Sequence, residues 1–164
     1  MIIPFDEITE DSKLWIFPSS RKFYPQELND LNKKLVAFLE NWNNKNIPLT
    51  CAYRLIYDRF IVIAVDTTSL ILTIETHNNL TDFIQKLEQE YSILLMDKIN
   101  VCYKQGDFVQ YKDIKDFKQM IKNKGVSPKT TVFNNMITTK EELSDFWEIN
   151  IMDSWLSYLM KGKN

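Results

Sequence analysis

The sequence predicts an α+β protein of ferredoxin-like order, βαββαβ, with an antiparallel or mixed sheet and additional C-terminal helices that cover the second face of the sheet. The first observation behind this class is the order of elements. Over the first two thirds of the chain, strand-like and helical apolar patterns follow one another as strand, helix, strand, strand, helix, strand. The second observation is that the central strands are apolar on both faces, and such a sheet has to be covered on both sides.

The first strand and the first helix follow each other near the start of the chain. Residues 13–17, KLWIF, form a short apolar run that the turn formers Pro18-Ser19-Ser20 end. Pro25 suits the first turn of a helix, where its missing N–H is not needed. Apolar residues then recur at helical spacing, at Leu28, Leu31, Leu35, Phe38, Leu39 and Trp42.

Residues 50–66 favour strand throughout. One strand of this length would extend about 55 Å at roughly 3.3 Å per residue, which is too long for a small domain. We therefore expect two antiparallel strands with a turn at Tyr57-Asp58-Arg59, although the glycine that is usual in a tight hairpin is missing. The next segment, LILTIETH, predicts a further strand, and Asn78 or Asn79 is expected to cap the following helix. The apolar face of this helix carries Leu80, Phe83, Ile84, Leu87 and Tyr91.

The C-terminal part begins with KINVCYKQGDFVQYK, which predicts two strands with a turn at Gln105-Gly106-Asp107. Residues 113–123 predict a helix that Gly125 ends. TTVFNNMIT predicts a short final strand, and Thr138-Thr139 with Glu141 and Glu142 offers a capping box for a helix over 139–147. Large side chains predicted to pack inward in this region are Leu143, Phe146, Trp147, Trp155, Leu159 and Met160.

The segment RFIVIAV predicts a sheet that is covered on both faces. Phe60, Val62 and Ala64 point to one face of a strand, the residues between them point to the other, and both sets are apolar. The helices over 113–123 and 139–147 are the expected second cover, and a homodimer interface is the alternative. A sheet covered on both faces leaves no open platform of the kind on which RNA-recognition modules stack bases.

Composition narrows the class of protein. The 164 residues fit a single domain, 1–164. There are 20 Lys and Arg against 22 Asp and Glu, so the net charge of −2 favours neither nucleic acid nor an anionic membrane. Cys51 and Cys102 lie among strand-like apolar residues and are expected to be small buried hydrophobes. The start of the chain has no signal-peptide pattern, and the apolar block FIVIAV is too short to cross a bilayer, so we expect a cytoplasmic protein.

Several catalytic classes are excluded by residue counts. The chain has three glycines, Gly106, Gly125 and Gly162, and their spacing allows neither a phosphate-binding P-loop nor a dinucleotide fingerprint. The single histidine, His77, is expected to be structural, and with two distant cysteines it cannot make a four-ligand zinc site. ATP hydrolysis of the Walker type is therefore excluded.

Three blocks of sequence resemble a known family. YDRFIVIAVD, YKQGDFVQYK and SPKTTVFNN with EELSDFWE occur in the same order in a family of small uncharacterised proteins common in Bacteroidetes-type bacteria. That family often carries the automatic label "ABC transporter ATPase", and the resemblance covers nearly the whole chain. It implies no established activity. Where the family has Cys-Ser-Ile-Asp and Ser-Trp-His, this chain has TIETHNNL and Ser154-Trp155-Leu156, which removes reactive side chains.

Five polar residues are the candidates for a binding site. The chain has only three arginines, Arg21, Arg54 and Arg59, beside seventeen lysines. Where lysine is so common, an arginine can indicate that its planar guanidinium is needed, because this group forms two parallel hydrogen bonds. Arg21 follows the first strand and Arg59 lies at the strand turn, which we expect at opposite ends of the sheet. The alternative for both is an ordinary salt bridge. Lys104 lies beside Gly106 at a turn, where a plain hairpin loop is the alternative.

Asn134 and Asn135 are two adjacent amides inside an apolar segment. At most one side chain of such a pair can face the core, where it must be hydrogen-bonded. In the structural interpretation, Asn134 or Asn135 satisfies loose backbone groups where the short strand meets the edge of the sheet. In the functional interpretation, the pair presents donors and acceptors to a ligand. We predict ligand or partner binding by Arg21, Arg59, Lys104, Asn134 and Asn135, with no catalytic residue, no metal and no cofactor.

The predicted function is that of a non-enzymatic cytoplasmic protein that binds a protein or another macromolecule. The alternative is a small ligand-binding domain or an enzyme that uses the Arg and Asn residues, and RNA binding ranks third. The expected partner is an unidentified protein, or a second copy of the chain in a homodimer; neither a membrane nor nucleic acid is expected.

Overall fold

The computed structural model describes residues 1–161, which form two compact units. The first unit consists of Met1–Met96 with Thr138–Glu141, and the second consists of Asp97–Ile137 with residues 142–161. Both units combine helices with antiparallel strands, so the predicted α+β class is confirmed. The single domain expected from the chain length stays a prediction. Over the described residues, no helix is both long enough and apolar enough to cross a membrane.

The first unit is built on a sheet with the order β1-β5-β4, where β1 is Lys13–Pro18, β4 is Cys51–Ile56 and β5 is Phe60–Val65. β5 pairs antiparallel with both neighbours, so β1 and β4 run parallel to each other on either side of it. This arrangement is a split βαβ unit, with the helix α1, Pro25–Asn41, as the crossover. A short hairpin that the sequence analysis missed, β2 (Asn43–Asn44) and β3 (Ile47–Pro48), follows α1.

Both helices of the first unit contribute to the same apolar core. α1 brings Leu31, Leu35 and Leu39 to this core, and α2, Ile74–Tyr91, brings Leu80, Ile84 and Leu87. They pack with Ile61, Ile63 and Val65 of β5. The other alternating set of β5, Phe60, Val62 and Ala64, is also buried within the chain. The doubly apolar pattern therefore predicted correctly that β5 is covered on both faces.

The turn between β4 and β5 forms without glycine. Tyr57 and Asp58 both have positive φ, 56° and 52°, and the carbonyl of Ile56 accepts a hydrogen bond from the N–H of Arg59 at 3.1 Å. This is the geometry of a type I′ turn, whose twist matches that of the flanking strands. The expected position of the turn, Tyr57-Asp58-Arg59, is confirmed.

α2 begins earlier than the sequence predicts. The segment LILTIETH does not form a strand, because Thr73 caps the helix: its side chain accepts a hydrogen bond from the N–H of Thr76. Asn78 and Asn79 therefore lie inside the first turns of α2 and not at its cap. The run of β-branched residues favours a strand, but a threonine cap satisfies an otherwise free backbone donor and starts the helix.

The second unit has its own sheet, with the order β7-β6-β8-β9. Its strands are β6 (Val101–Gln105), β7 (Phe108–Lys112), β8 (Thr131–Phe133) and β9 (Glu148–Asn150). Gly106, at φ 63°, closes the hairpin between β6 and β7. The core of this unit is formed by Val101, Tyr103, Phe117, Ile121, Val126, Val132, Ile151, Leu156 and Met160.

The complete ferredoxin-like order is not observed. β6 would be its sixth element, but it pairs with β7 and β8 and belongs to the second unit. The outer edge of β1, where a fourth strand of that order would pair, instead carries the single bridge from Lys13 to Thr139. Only two residues separate β6 from β7, so pairing of these strands closes a very short loop and costs little loop entropy. Pairing of β6 with the edge of β1 would close a much longer loop.

The C-terminal helices also differ in part from the prediction. α3, Ile114–Lys122, matches the predicted span, and its buried residues belong to the core of the second unit. α4 spans Lys140–Asp145, shorter than the predicted 139–147, and it is followed by β9, which was not predicted. Trp147 is buried as expected, whereas Phe146 is 58% exposed. In the tail, α5 spans Ser157–Met160.

Candidate functional site

The two adjacent asparagines lie directly after β8, where the second unit's sheet ends. The N–H of Asn134 donates to the carbonyl of Trp147 at 2.7 Å and extends the β8–β9 pairing by one bond. The side-chain oxygen of Asn134 accepts a hydrogen bond from the N–H of Met136 at 3.1 Å. This Asx turn reverses the chain and directs the two amide side chains to different environments.

Asn135 points into the protein and is only 6% exposed. Its side-chain oxygen accepts a hydrogen bond from the indole Nε1–H of Trp147 at 2.9 Å. Its amide nitrogen lies 3.7 Å from the sulfur of Cys102. A buried indole N–H needs an acceptor, so Asn135 has a structural role, although its partners are side chains and not the loose backbone groups that the structural interpretation named.

Asn134 and Asn135 both line a cavity of about 440 Å³ in the second unit. Its apolar walls come from Phe133 and Ile149, and two large exposed side chains, Met136 and Trp155, also line it. Met136 is 65% exposed and Trp155 is 45% exposed. The full lining is Lys98, Asn100, Phe133, Asn134, Asn135, Met136, Ile149, Asp153, Ser154 and Trp155.

Most polar groups of this cavity already have partners. The amide of Asn100 donates to Asp97 and Tyr111, and its oxygen accepts from the N–H of Ile114. The hydroxyl of Ser154 donates to the carbonyl of Ile151 at 2.7 Å and accepts from the N–H of Leu156. Ser154 therefore caps a turn and is not paired with a general base, so it is no activated nucleophile.

The side-chain N–H donors of Asn134 are available among the polar groups that line the cavity. Its oxygen is used in the Asx turn, whereas its amide nitrogen makes no hydrogen bond within residues 1–161. An amide nitrogen can donate to a carbonyl or carboxylate oxygen of a bound molecule. Together with the apolar walls, this donor suits the binding of a largely apolar group that carries a neighbouring oxygen acceptor.

Arg21 lies in the first unit and is held inside the fold. Its guanidinium forms two parallel hydrogen bonds to the carboxylate of Glu27, at 2.8 and 2.9 Å, and donates to the carbonyl of Tyr91 at 2.9 Å. It also stacks on the ring of Tyr24 at 4.4 Å. The hydrogen bond with Arg21 lowers the pKa of Glu27 and raises that of Arg21. Arg21 thus joins the start of α1 to the end of α2, as the salt-bridge alternative predicts.

Arg59 lies close to the end of β1. Its carbonyl accepts from the N–H of Ser19 at 2.9 Å, and its Nη2 donates to the carbonyl of Ser20 at 3.3 Å. The expectation that the end of the first strand and the strand turn lie at opposite ends of the sheet is therefore wrong. β1 and β4 run parallel on either side of β5, so both strands finish at the same end of the sheet.

Lys104 lies on β6 in the second unit and forms a salt bridge with Glu148 at 2.6 Å. It does not line the cavity, and neither do the two arginines, which belong to the first unit. The cavity therefore brings together Asn134 and Asn135 of the five predicted residues.

The two cysteines and the histidine are packed into the described part of the fold. Cys51 and Cys102 are buried free thiols, as expected, and burial raises the pKa of the Cys51 thiol to about 11. The ring of His77 packs edge-on against Trp15 at 5.7 Å. In the part of the chain that the structure describes, no group of three or more His, Cys, Asp or Glu residues could hold a metal ion.

Trp155 and Met136 are the site residues that the sequence analysis missed. Trp155 was expected to pack inward with Leu159 and Met160, and of these Met160 is buried while Trp155 is exposed at the cavity. Its spacing of four residues from Leu159 mimics an inward helical face, but α5 begins only at Ser157. No sequence signal distinguishes these two positions from core residues.

Comparison with known proteins gives no identity for the chain: no family model, no curated protein and no solved structure matches it. The resemblance to the Bacteroidetes-type family therefore stays a prediction.

Proposed function

We propose that this chain is a non-enzymatic protein-binding domain of the cytoplasm, and that the cavity of its second unit receives a large apolar side chain of a partner protein. The single observation that carries this proposal is the exposure of Trp155 and Met136 beside a cavity with apolar walls. Trp and Met side chains are enriched where proteins bind one another, and the rigid ring of Trp supplies a large contact area with little loss of side-chain entropy.

The polar groups of the cavity favour binding of a peptide over binding and reaction of a substrate. The donors of Asn134 can bind a backbone carbonyl next to the inserted side chain. Ser154 and Asn100 use their hydrogen-bonding groups within the protein, so neither is free to act on a substrate. A partner segment with a bulky apolar residue and an accessible carbonyl beside it matches these groups.

A small ligand is the second candidate, and the volume of the cavity favours it. About 440 Å³ lies within the range of small-molecule sites, roughly 300–1,000 Å³. Such a ligand would be mostly apolar, with one oxygen acceptor for Asn134. Native mass spectrometry of protein purified from its own cells separates the two candidates, because a bound small molecule adds a fixed mass to the intact chain.

The test is co-purification with matched variants. Tagged wild-type protein, Trp155→Ala and Tyr158→Ala are purified from the native cell, and co-eluting proteins are quantified. Tyr158 is an exposed aromatic of the same unit that does not line the cavity. We expect one partner at near-stoichiometric yield with the wild type and Tyr158→Ala, and at least tenfold less with Trp155→Ala. Equal recovery with all three chains would refute the proposal.

A further inference from the structure

The outer edge of β4 in the first unit is paired at one position only. β5 occupies one side of β4. On the other side, the N–H of Cys51 donates to the carbonyl of Met1 at 3.0 Å, and the carbonyl of Cys51 accepts from the N–H of Ile3 at 2.9 Å. This parallel bridge shows that the edge of β4 facing away from β5 accepts an added strand.

Further along this edge, no backbone group of β4 is hydrogen-bonded to another backbone group of residues 1–161. Alternate residues of a strand direct their N–H and C=O to the same side, so Tyr53 and Leu55 present theirs on the same edge as Cys51. Within residues 1–161, the N–H and C=O groups of Tyr53 and Leu55 on this edge make no backbone hydrogen bond. The chain's own N-terminal segment leaves the edge where the 3₁₀ turn Phe5–Glu7 begins.

A groove of about 610 Å³ runs beside this free edge. One side is formed by Leu28 and Asn32 of α1 and the other by the N-terminal segment with Phe5. Open strand edges are usually blocked in proteins because they invite pairing with other chains. An edge that is free and flanked by a groove has the features of sites where an extended peptide adds a strand to a sheet.

We propose that the edge of β4 binds an extended segment of a partner protein, which pairs with Tyr53 and Leu55 as an additional strand. This interaction surface is independent of the cavity in the second unit. The unpaired backbone groups determine the chemistry of the occupant, because only another peptide backbone offers matching donors and acceptors at strand spacing.

The two sides of the groove specify alternating side chains in the bound segment. The side chains of Tyr53 and Leu55 pack toward the helical core with Leu28, so every second residue of the segment should be apolar. Arg54 points to the opposite face, where its guanidinium lies 4.6 Å from the ring of Phe5. The residues between the apolar ones should therefore include a carboxylate.

Arg54 can bind that carboxylate without losing a strong interaction. It makes one hydrogen bond, to Asp6 at 2.7 Å, and both side chains of this pair are exposed. Exposed ion pairs contribute little to stability, and a guanidinium has five donors. A segment that alternates apolar residues with acidic and neutral polar ones thus matches the groove.

The probe for this proposal is a synthetic peptide of about six residues, alternating Val with Thr and Glu, a length typical of short strands. Two control peptides carry N-methyl groups, one on the Val amides and the other on the Thr and Glu amides. The alternate amides of a strand point to opposite edges, so only one of the two methylated peptides loses its hydrogen bonds to β4. Each peptide is titrated into the full ¹⁵N-labelled chain and followed by NMR.

We expect the unmethylated peptide to protect the Tyr53 and Leu55 amides from hydrogen exchange and one methylated peptide to bind at least tenfold more weakly. Arg54→Glu should weaken binding several-fold and favour a peptide with Lys in place of Glu. Trp155→Ala should leave peptide binding unchanged, which separates this surface from the proposed cavity site. Three results would overturn the proposal. The three peptides could bind with equal affinity, or the unmethylated peptide could fail to bind at about millimolar concentration, which corresponds to a binding free energy near −4 kcal/mol. The third is pairing of this edge with a second copy of the chain.

Discussion

In the first unit, the guanidinium of Arg21 makes four hydrogen bonds within the fold, whereas in the second unit the amide nitrogen of Asn134 lines a cavity and makes none within residues 1–161. Both residues are rich in donors, and both were candidates for binding. Glu27 and the carbonyl of Tyr91 occupy the donors of Arg21, while the Asx turn of Asn134 uses only its oxygen. A residue type therefore indicates a binding site only where the fold leaves its polar groups unused.

The largest expected loss of stability comes from a substitution in the core of the second unit. Phe117 is fully buried and packs against Tyr103 at a ring distance of 5.3 Å. Phe117→Ala should reduce the free energy of unfolding by about 3–5 kcal/mol, because it removes a buried ring and leaves a cavity. Phe108, an exposed phenylalanine on β7 of the same unit, is the control, and Phe108→Ala should change stability by about 0.5 kcal/mol or less. Urea unfolding measures both, and equal losses would contradict the assignment of the core.

The asparagine pair gives the next largest effect. Asn135→Ala should destabilise the protein by about 1–3 kcal/mol, because it leaves the buried indole N–H of Trp147 without its acceptor. Asn134→Ala removes one hydrogen bond of an Asx turn and should cost about 1 kcal/mol or less. Thermal and urea unfolding of the two variants test this ranking. If Asn134→Ala were the more damaging change, the distinction between the buried structural amide of Asn135 and the half-buried amide of Asn134 would be wrong.

A smaller difference in stability is expected between the alanine variants of two arginines of the first unit. Arg21→Ala should destabilise the protein by about 1–2 kcal/mol, because the bidentate pair with Glu27 and the bond to Tyr91 are partly shielded from solvent. Arg54→Ala should cost about 0–1 kcal/mol, since its pair with Asp6 is exposed. Equilibrium unfolding at neutral pH compares the two. Similar values for both would show that Arg21 is not the structural residue described above.

The pH dependence of the Arg21 effect is the smallest expected change. The hydrogen bond from Arg21 lowers the pKa of Glu27 below its ordinary value near 4.5. A lowered carboxyl pKa contributes stability that is present above the ordinary value and is lost as the pH falls through the pKa of the folded protein. The difference in stability between wild type and Arg21→Ala should therefore narrow as the solution is acidified below that value. A difference that stays constant or grows in acid would contradict the role of this pair.

Local patterns predicted most of the individual elements. Pro25 and the apolar spacing that follows it located α1, and the polar Tyr57-Asp58-Arg59 located the turn between β4 and β5. LILTIETH was assigned wrongly because its β-branched residues favour a strand, whereas the cap made by Thr73 depends on a hydrogen bond that composition does not show. The pairing of β6 was also missed, since strand partners are set by the whole chain and not by local pattern.

The candidate site was predictable only in part. Two amides inside an apolar segment are unusual enough to mark Asn134 and Asn135 from the sequence alone. Trp155 could not be found in this way, because an exposed tryptophan at a cavity and a buried one have the same sequence pattern. Glu27, six residues after Arg21, lies outside any helical spacing rule, so its pairing with Arg21 becomes visible only in the folded chain.

Site-specific photo-cross-linking tests most directly whether the second unit binds a partner through its cavity. A photoreactive phenylalanine analogue is placed at Trp155 in one chain and at Tyr158 in another, and cross-linked peptides from the native cell are identified by mass spectrometry. We expect the analogue at Trp155 to capture one segment of one partner protein, centred on a large apolar residue, and the analogue at Tyr158 not to capture it. Capture of the same peptides from both positions, or of no protein from Trp155, would contradict it.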